Sequence, residues 1–235
     1  MMLLPALLLM ANTSSSTLIG KATTAKPEHI SLATVAVKAA ADYYTSWNLS
    51  AAGISLKVFS EAIKGYNYLQ GKKLLHNINV LTIVDYSKPS SQKRLYVLDM
   101  NEGKILFNTL VAHGRNSGLE YANNFSNSES SHKTSLGFFI TMNTYTGGNG
   151  YSLKLQGCEK GINDKALERA IVVHGAEYAD ENFLHSNGFL GRSYGCPAVP
   201  EKVSKKIIDT IKNGSCMFLY HPTKKYRTVS KILNS

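Results

Sequence analysis

The chain has 235 residues, of which 43% are hydrophobic and 18% are charged. This length and balance indicate one folded domain with a substantial core and exclude a largely disordered chain. The formal net charge is +10, which favours a polyanionic partner such as nucleic acid, anionic lipid or an acidic cell wall. Because the basic residues form no run of five and are not interleaved with aromatic residues, we predict no nucleic-acid binding.

The first eleven residues, Met1 to Ala11, carry no charged side chain. This run is too short to cross a bilayer, and it resembles the apolar region of an export signal. It lacks a flanking basic residue and a clean cleavage site, so a disordered start is the alternative. A linker rich in Ser, Thr and Lys follows, and no later run is long enough for a transmembrane helix. We therefore expect residues 1–27 to be an export signal and linker, and the protein to be exported to the periplasm or cell envelope.

Residues 28–70 have the spacing of apolar residues that predicts helices. A break at 47–50 separates two helices, the second of which begins near Ser55 and ends at Gly71. These helices carry no acid–base cluster, so we expect 28–75 to form a helical N-terminal segment that packs ahead of a main domain over 76–235.

From residue 77 the pattern changes to short runs rich in β-branched and aromatic residues, which predict strands. The turn Asn101-Glu102-Gly103 joins the second and third strands as a hairpin. The predicted strands cover 78–85, 94–99, 104–112, 136–143, 151–156, 170–174 and 215–220. The fold class is therefore mainly β with flanking helices (α+β).

Two further helices and one long loop are predicted within the main domain. A short helix over 163–168 would be capped by Asn163. A longer helix over 200–213 has one apolar stripe, with Pro200 in its first turn and Gly214 at its end. Residues 116–134 are rich in Asn and Ser and lack an apolar period, which indicates a functional or mobile loop.

The chain has three cysteines, so at least one thiol is free, and their spacing does not fit a zinc site. Cys216 lies in a strand-like apolar run and is predicted to be a core residue. Cys158 follows a predicted strand and is expected in a turn, with a disulfide as the alternative.

Cys196 has the surroundings of a catalytic nucleophile. It lies in the Gly-rich stretch Gly188 to Val199, just before the helix predicted at Pro200, whose N-terminus would lower the pKa of the thiol. His174 ends a predicted strand, and a thiol and its base commonly lie apart in sequence and meet in the fold. The pair therefore predicts an acyl-transfer enzyme.

Two other kinds of site are disfavoured. Gly191-Arg192-Ser193-Tyr194-Gly195 matches a serine nucleophile elbow, but a loop precedes Ser193 and Pro197 follows almost at once. His113, His174 and His185 lack the tight spacing of a metal site. We therefore expect no metal and no cofactor, and for His113 either a structural role or contact with substrate.

Six segments carry a resemblance to a known family. In order, they are 94–97 (RLYV), 111–118 (VAHGRNSG), 135–138 (SLGF), 150–153 (GYSL), 169–176 (RAIVVHGA) and 191–199 (GRSYGCPAV). The chain from about residue 78 to 222 resembles the murein L,D-transpeptidase catalytic-domain family, a branch of the YkuD-like L,D-transpeptidases. The resemblance implies a YkuD-like β-sandwich or barrel catalytic domain over 76–235.

The family resemblance also implies the reaction and its residues. Cys196 would attack the bond between an L-centre and D-Ala in a peptidoglycan stem peptide, with His174 as base and the Gly175 carbonyl orienting it. The backbone near Tyr194 and Gly195 would hold the oxyanion. An amine acceptor makes the enzyme a transpeptidase; water would make it an L,D-carboxypeptidase. A non-catalytic peptidoglycan-binding module and a thiol hydrolase of another amide are the remaining alternatives.

Substrate contacts carry over less completely. The wider family has His at the position of Tyr194 and Arg at that of Ala198, so its substrate contacts, the carboxylate contact above all, do not carry over directly to these positions. We expect Arg192 to bind a carboxylate instead, since a guanidinium binds one bidentately. The other expected substrate-binding residues are Ser193, His113 and Tyr151. Peptidoglycan stem peptides are the expected partner, and the sequence leaves the oligomeric state open.

Overall fold

The computed structural model of the chain describes residues 32–235, with side chains from residue 39 onward. The predicted export signal and linker lie outside the described residues. Within residues 32–235, no helix is both long enough and apolar enough to cross a bilayer. The predicted boundary at residue 75 stays a prediction.

Eight strands and five α-helices make up the described chain. The strands are β1 (Val80–Asp85), β2 (Leu95–Asp99), β3 (Lys104–Thr109), β4 (Gly137–Gly147), β5 (Gly150–Gly157), β6 (Val172–Gly175), β7 (Ala198–Val199) and β8 (Cys216–Tyr220). The helices are α1 (Leu32–Ser46), α2 (Leu56–Gly71), α3 (Glu181–Asn187), α4 (Glu201–Ile211) and α5 (Lys224–Val229). The seven strands predicted from sequence are all present, and β2 and β3 pair as the predicted antiparallel hairpin.

One sheet contains all eight strands, in the order β3-β2-β1-β8-β4-β5-β6-β7. The pairs β1–β8 and β6–β7 are parallel, and the other neighbours are antiparallel. Ala112, just beyond β3, forms an antiparallel bridge to Ala198 in β7. The two edges of the sheet therefore meet, and the sheet is a nearly closed barrel, as the resemblance implied.

The centre of the sheet is covered by helices. Every residue of β1 and β8 is buried, which is expected where packing elements cover both faces. The helices α2 and α4 both contact β1, and α2 also contacts β8. Cys216 is fully buried in β8 and all three cysteines are free thiols, so the core role predicted for Cys216 is confirmed.

The helix predicted over 163–168 is wrong, because this stretch is a series of turns. Asn163 cannot cap a helix there, since its side chain is used elsewhere. Its amide donates to the carbonyls of Leu136 and Phe138, at 2.9 and 3.0 Å, and its oxygen accepts from the Glu159 N–H. The turns end at Ala170, whose φ of 52° is left-handed.

Helix α2 approaches the sheet closely through Gly65. A Cβ atom at this position would lie 2.0 Å from the ring of Phe138, which stacks on Phe218 with the ring centroids 4.1 Å apart. Glycine is therefore required here by packing and not by backbone conformation.

We predict that Gly65→Ala lowers the free energy of unfolding by about 1–3 kcal/mol, because the added methyl group must displace a packed aromatic ring. Gly71→Ala is the matched control, since nothing lies within 4 Å of its Cβ position. Urea unfolding of both variants measures the difference. Equal stabilities would show that α2 can shift away from the sheet without cost.

Candidate functional site

Neighbouring strands bring the predicted nucleophile and base to one place. In the parallel pair β6–β7, His174 lies opposite Ala198. Cys196 precedes Ala198 by two residues, and its sulfur accepts a hydrogen bond from the Val172 N–H at 3.4 Å. Val172 and His174 are two residues apart on β6, so they face the same side of the strand. The sequence separation of 22 residues is thus spanned by one strand pairing.

The Cys196 thiol is partly buried and held by backbone groups. Besides the contact from Val172, its sulfur lies 3.7 Å from the carbonyl oxygen of Ala170. Burial raises the pKa of the thiol, which the Val172 N–H and the positive charge of Arg169 oppose. The net direction is upward, so the thiol needs a base to become a nucleophile at neutral pH.

His174 is oriented to act as that base. Its Nδ1 lies 2.9 Å from the carbonyl oxygen of Gly175. A carbonyl can only accept, so Nδ1 carries the hydrogen and Nε2 of the neutral ring has a free lone pair. The side chain is only 4% exposed, and this burial lowers the pKa of His174 while the Gly175 carbonyl opposes the shift. Thiol and imidazole are therefore both favoured in their neutral forms.

The backbone before Cys196 differs from the expected oxyanion site in one respect. The Gly195 N–H donates to Ser193 Oγ at 3.0 Å, and that hydroxyl donates to the Cys196 carbonyl at 2.6 Å. The Gly195 N–H is thus already occupied. In the part of the chain described here, the N–H groups of Tyr194 and Cys196 have no protein acceptor, which leaves these two as candidate oxyanion donors.

Arg169 is a site residue that the sequence reasoning missed. Its guanidinium donates to the carbonyls of Ser126 and Lys133, at 2.9 and 2.7 Å, and to Ser135 Oγ at 2.5 Å. It thereby ties the long loop to the turn segment that precedes β6. The only signal in the sequence was its place directly before the strand that ends in His174.

Gly195 lies where the long loop and Arg169 approach the turn that carries Cys196. Its φ is +127°, and a Cβ atom there would lie 2.9 Å from the Lys133 carbonyl oxygen and 3.3 Å from Arg169 Nη2. Glycine therefore allows both the turn and the close approach of the loop.

Three of the residues expected to bind substrate are hydrogen-bonded within the protein. His113 is fully buried, with Nδ1 2.9 Å from Arg94 Nη2. Its surroundings fit the structural role and leave no surface for a substrate. Ser193 is only 7% exposed, and its hydroxyl is used within the turn. The hydroxyl of Tyr151 donates to Asp209 at 2.7 Å. Substrate contact by these three residues stays a prediction.

Two exposed side chains lie on the outside of the same turn. Arg192 is exposed, and its Nη1 donates to the carbonyls of Arg115 and Gly118, both at 3.3 Å. Tyr194 is 65% exposed, with its ring 4.5 Å from that of His132. Both are accessible to a ligand, so carboxylate binding by Arg192 stays a prediction. Among residues 32–235, no group of three or more His, Cys, Asp or Glu is placed to hold a metal ion.

A family model described as the L,D-transpeptidase catalytic domain matches residues 50–220. Solved structures similar to this chain include an L,D-transpeptidase from Mycobacterium smegmatis, with 13% identity, a TM-score of 0.39 and coverage of 61% of this chain and 59% of that one. An L,D-transpeptidase from Mycobacterium tuberculosis H37Rv has 14% identity, a TM-score of 0.37 and coverage of 61% and 58%. A mutant L,D-transpeptidase from Enterococcus faecium has 13% identity, a TM-score of 0.36 and coverage of 60% and 50%.

The chain thus spans between half and three fifths of the length of these three structures. No curated protein sequence matches it.

We predict that Arg169→Gln slows alkylation of Cys196 at neutral pH several-fold, because a positive charge that favours the thiolate is lost. The rate of reaction with iodoacetamide, measured across pH, should show the thiol titrating at higher pH than in the wild type. Lys165→Gln, an exposed change on the same turn segment, is the control. Identical pH profiles for all three proteins would contradict an electrostatic role for Arg169.

We also predict that His113 makes the free energy of unfolding fall at acidic pH. Burial, followed by the nearby Arg94 charge, lowers the pKa of His113 from 6.5 to about 3. The unfolded chain takes up this proton near its ordinary pKa, whereas the folded chain does not. The stabilisation that His113 provides is therefore complete above its ordinary pKa of 6.5. Below that pH the free energy of unfolding falls by about 1.4 kcal/mol for each pH unit.

Chemical unfolding at pH 7 and at pH 5.5 tests this sign. His113→Gln keeps a polar partner for Arg94 but cannot titrate, so its stability should fall less between the two pH values. A fall as steep as that of the wild type would assign the acid sensitivity to other groups.

Proposed function

The chain belongs to the L,D-transpeptidase catalytic-domain family, and from that premise we propose that it is a cysteine L,D-transpeptidase of peptidoglycan stem peptides. One observation carries the proposal. Cys196 lies two residues before β7, which pairs with the strand of His174, and its sulfur accepts from the Val172 N–H of that strand. The hydrogen bond to the Gly175 carbonyl leaves Nε2 of His174 free to accept a proton. An acyl-transfer enzyme needs such a nucleophile and base within one site.

In the proposed first half-reaction, Nε2 of His174 takes the proton from Cys196 Sγ, and the sulfur attacks the carbonyl carbon of the third stem residue. The N–H groups of Tyr194 and Cys196 donate to the resulting oxyanion. Collapse of this intermediate breaks the C–N bond to D-Ala. His174 returns its proton to the leaving amine, and a thioester on Cys196 remains.

In the second half-reaction, an amine from another stem attacks the thioester. His174 accepts the proton that this amine loses, the new amide forms, and the proton returns to the Cys196 sulfur. Water in place of the amine would release a tripeptide, which is the L,D-carboxypeptidase reaction. The same residues serve both acceptors.

The neutral state that is favoured for the Cys196 thiol and the His174 imidazole supports this order of steps. A buried, protonated thiol is unreactive until His174 removes its proton, so the proton is available to return to the leaving amine. We further propose that the protein works in the cell envelope, where peptidoglycan lies. The net charge of +10 would favour association with an anionic wall.

We expect Cys196→Ala to abolish turnover while leaving the protein folded, and His174→Gln to lower it by about 10²–10⁴-fold, since general-base assistance is lost. Purified protein is mixed with a disaccharide-tetrapeptide, intact mass is recorded, and products are separated by chromatography. The wild type should show an acyl adduct, release of D-Ala and a cross-linked dimer.

Circular dichroism of each variant provides the folding control. Tripeptide without a dimer would reassign the protein as a carboxypeptidase. The proposal fails if the folded wild-type protein forms neither adduct nor product, or if Cys196→Ala is as active as the wild type.

A further inference from the structure

The N–H of Cys196, one of the two candidate oxyanion donors, belongs to the peptide group that joins Gly195 to Cys196. The carbonyl of this same peptide group accepts a hydrogen bond from the hydroxyl of Thr134, with Oγ1 3.4 Å from the carbonyl oxygen. In a trans peptide group the carbonyl and the N–H point in opposite directions. The contact with Thr134 therefore determines the direction in which the Cys196 N–H points.

Thr134 is itself held in place by two backbone contacts. The residue is fully buried, and its Oγ1 accepts from the Gly114 N–H at 2.9 Å. Its own N–H donates to Ser117 Oγ, also at 2.9 Å. Because the hydroxyl already accepts from Gly114, its single hydrogen is available for the Gly195 carbonyl. The side chain thus connects residue 114 to the turn that carries the nucleophile.

The neighbouring peptide groups of this turn are held by other groups. The Arg115 N–H donates to the Ser193 carbonyl at 2.8 Å, and Ser193 Oγ contacts both the Gly195 N–H and the Cys196 carbonyl. Among residues 39–235, the Gly195 carbonyl has Thr134 as its only hydrogen-bond partner. Glycine restricts the backbone less than any other residue, so Gly195 does not itself fix the plane of the peptide group that follows it.

The hydrogen bonds around Thr134 form a chain with a single direction. The Gly114 N–H donates to Thr134 Oγ1, and the hydroxyl donates to the Gly195 carbonyl. The Cys196 N–H lies at the far end of that peptide group, without an acceptor in the described part of the protein. Bonds in such a chain polarise one another, so the chain makes the terminal N–H a stronger donor. Catalytic hydrogen bonds are often long in a free enzyme and shorten around the transition state.

We propose that Thr134 is a positioning residue for acyl transfer, and that it orients the Cys196 N–H towards the oxyanion without touching the substrate. The inference rests on the proposed function, in which Cys196 attacks a carbonyl carbon. Without the hydroxyl, the peptide group after Gly195 is free to rotate and the oxyanion loses one oriented donor. The thiol and His174 do not depend on this contact, so their reactivity should remain.

Two reactions of the same thiol separate these effects. In acylation by p-nitrophenyl acetate, the Cys196 sulfur bonds to the carbonyl carbon, an oxyanion forms, and its collapse releases p-nitrophenolate. In alkylation by iodoacetamide, the sulfur bonds to the methylene carbon and iodide leaves, so no oxyanion forms. In both, the thiol proton passes through His174 to solvent. Intact mass gives both rates, and Cys196→Ala reports any reaction at other groups.

Thr134→Val keeps the shape of the side chain and removes the hydroxyl. Acylation by the ester should fall by about 10²-fold, as expected when an oxyanion donor is misplaced. In D-Ala release from the tetrapeptide, kcat should fall by a similar factor while KM changes little. The rate of alkylation should match the wild type at every pH. Thr134→Ser, which restores the hydroxyl, should recover most of the acylation rate.

Thr141→Val is the matched control. Thr141 is also fully buried, and its Oγ1 donates to the Ile211 carbonyl at 2.6 Å and accepts from the Ser215 N–H at 2.9 Å. This variant should lower the urea midpoint as Thr134→Val does, yet leave both reaction rates unchanged. If Thr134→Val does not fold, Thr134→Ala removes the same hydroxyl with a smaller side chain and carries the same expectation.

Wild-type acylation rates in the folded variant that lacks the hydroxyl would overturn the inference. An equal fall in acylation and alkylation would also overturn it, because the damage would then lie in the thiol or its base. If the selective loss is seen but the wild type releases no D-Ala, the positioning role is supported and the proposed reaction fails. If D-Ala is released equally by wild type and Thr134→Val, the reaction stands and the role of Thr134 is wrong.

Discussion

The hydrogen bonds between residues 112–115 and residues 193–198 are the contacts on which the site depends. Ala112 N–H donates to the Ala198 carbonyl at 2.8 Å, Ser193 N–H to the His113 carbonyl at 3.0 Å, and Arg115 N–H to the Ser193 carbonyl at 2.8 Å. We call this set the seam. It closes the sheet into a barrel and holds the turn containing Cys196 from both sides. Barrel closure and placement of the nucleophile are therefore one structural event.

A buried arginine contacts the chain where the seam begins, at residues 111 and 113. Arg94 in front of β2 is fully buried, and its guanidinium donates to the Val111 carbonyl from two nitrogens, at 2.8 and 3.1 Å. It also contacts His113 and lies 4.9 Å from the ring of Tyr86. A buried charge is tolerated when it is fully hydrogen-bonded, and these contacts require a neutral His113 as acceptor. The low pKa of His113 and the geometry of the seam thus have a common cause.

Local sequence patterns predicted the parts of the fold that local chemistry determines. The strands follow their β-branched residues, and α2 begins after Ser55, whose hydroxyl accepts from the Val58 N–H, and ends at Gly71. Patterns failed where a side chain serves a distant partner, as with Asn163, which bridges to β4. The strand pairing of His174 was foreseeable only through family resemblance. The hydroxyl of Ser193 and the charge of Arg169 act across contacts that no spacing rule encodes.

The position of β8 has a consequence for the order in which the molecule can be assembled. This strand, near the end of the chain, lies at the centre of the sheet between β1 and β4, and its parallel partner β1 is about 135 residues earlier in sequence. Such distant pairings form slowly, because a long loop must close before any contact compensates its entropy. The sheet cannot be completed until residue 220 has been synthesised. A nascent chain therefore lacks the strand that joins β1–β3 to β4–β7, and the barrel can be completed only after that last strand is inserted.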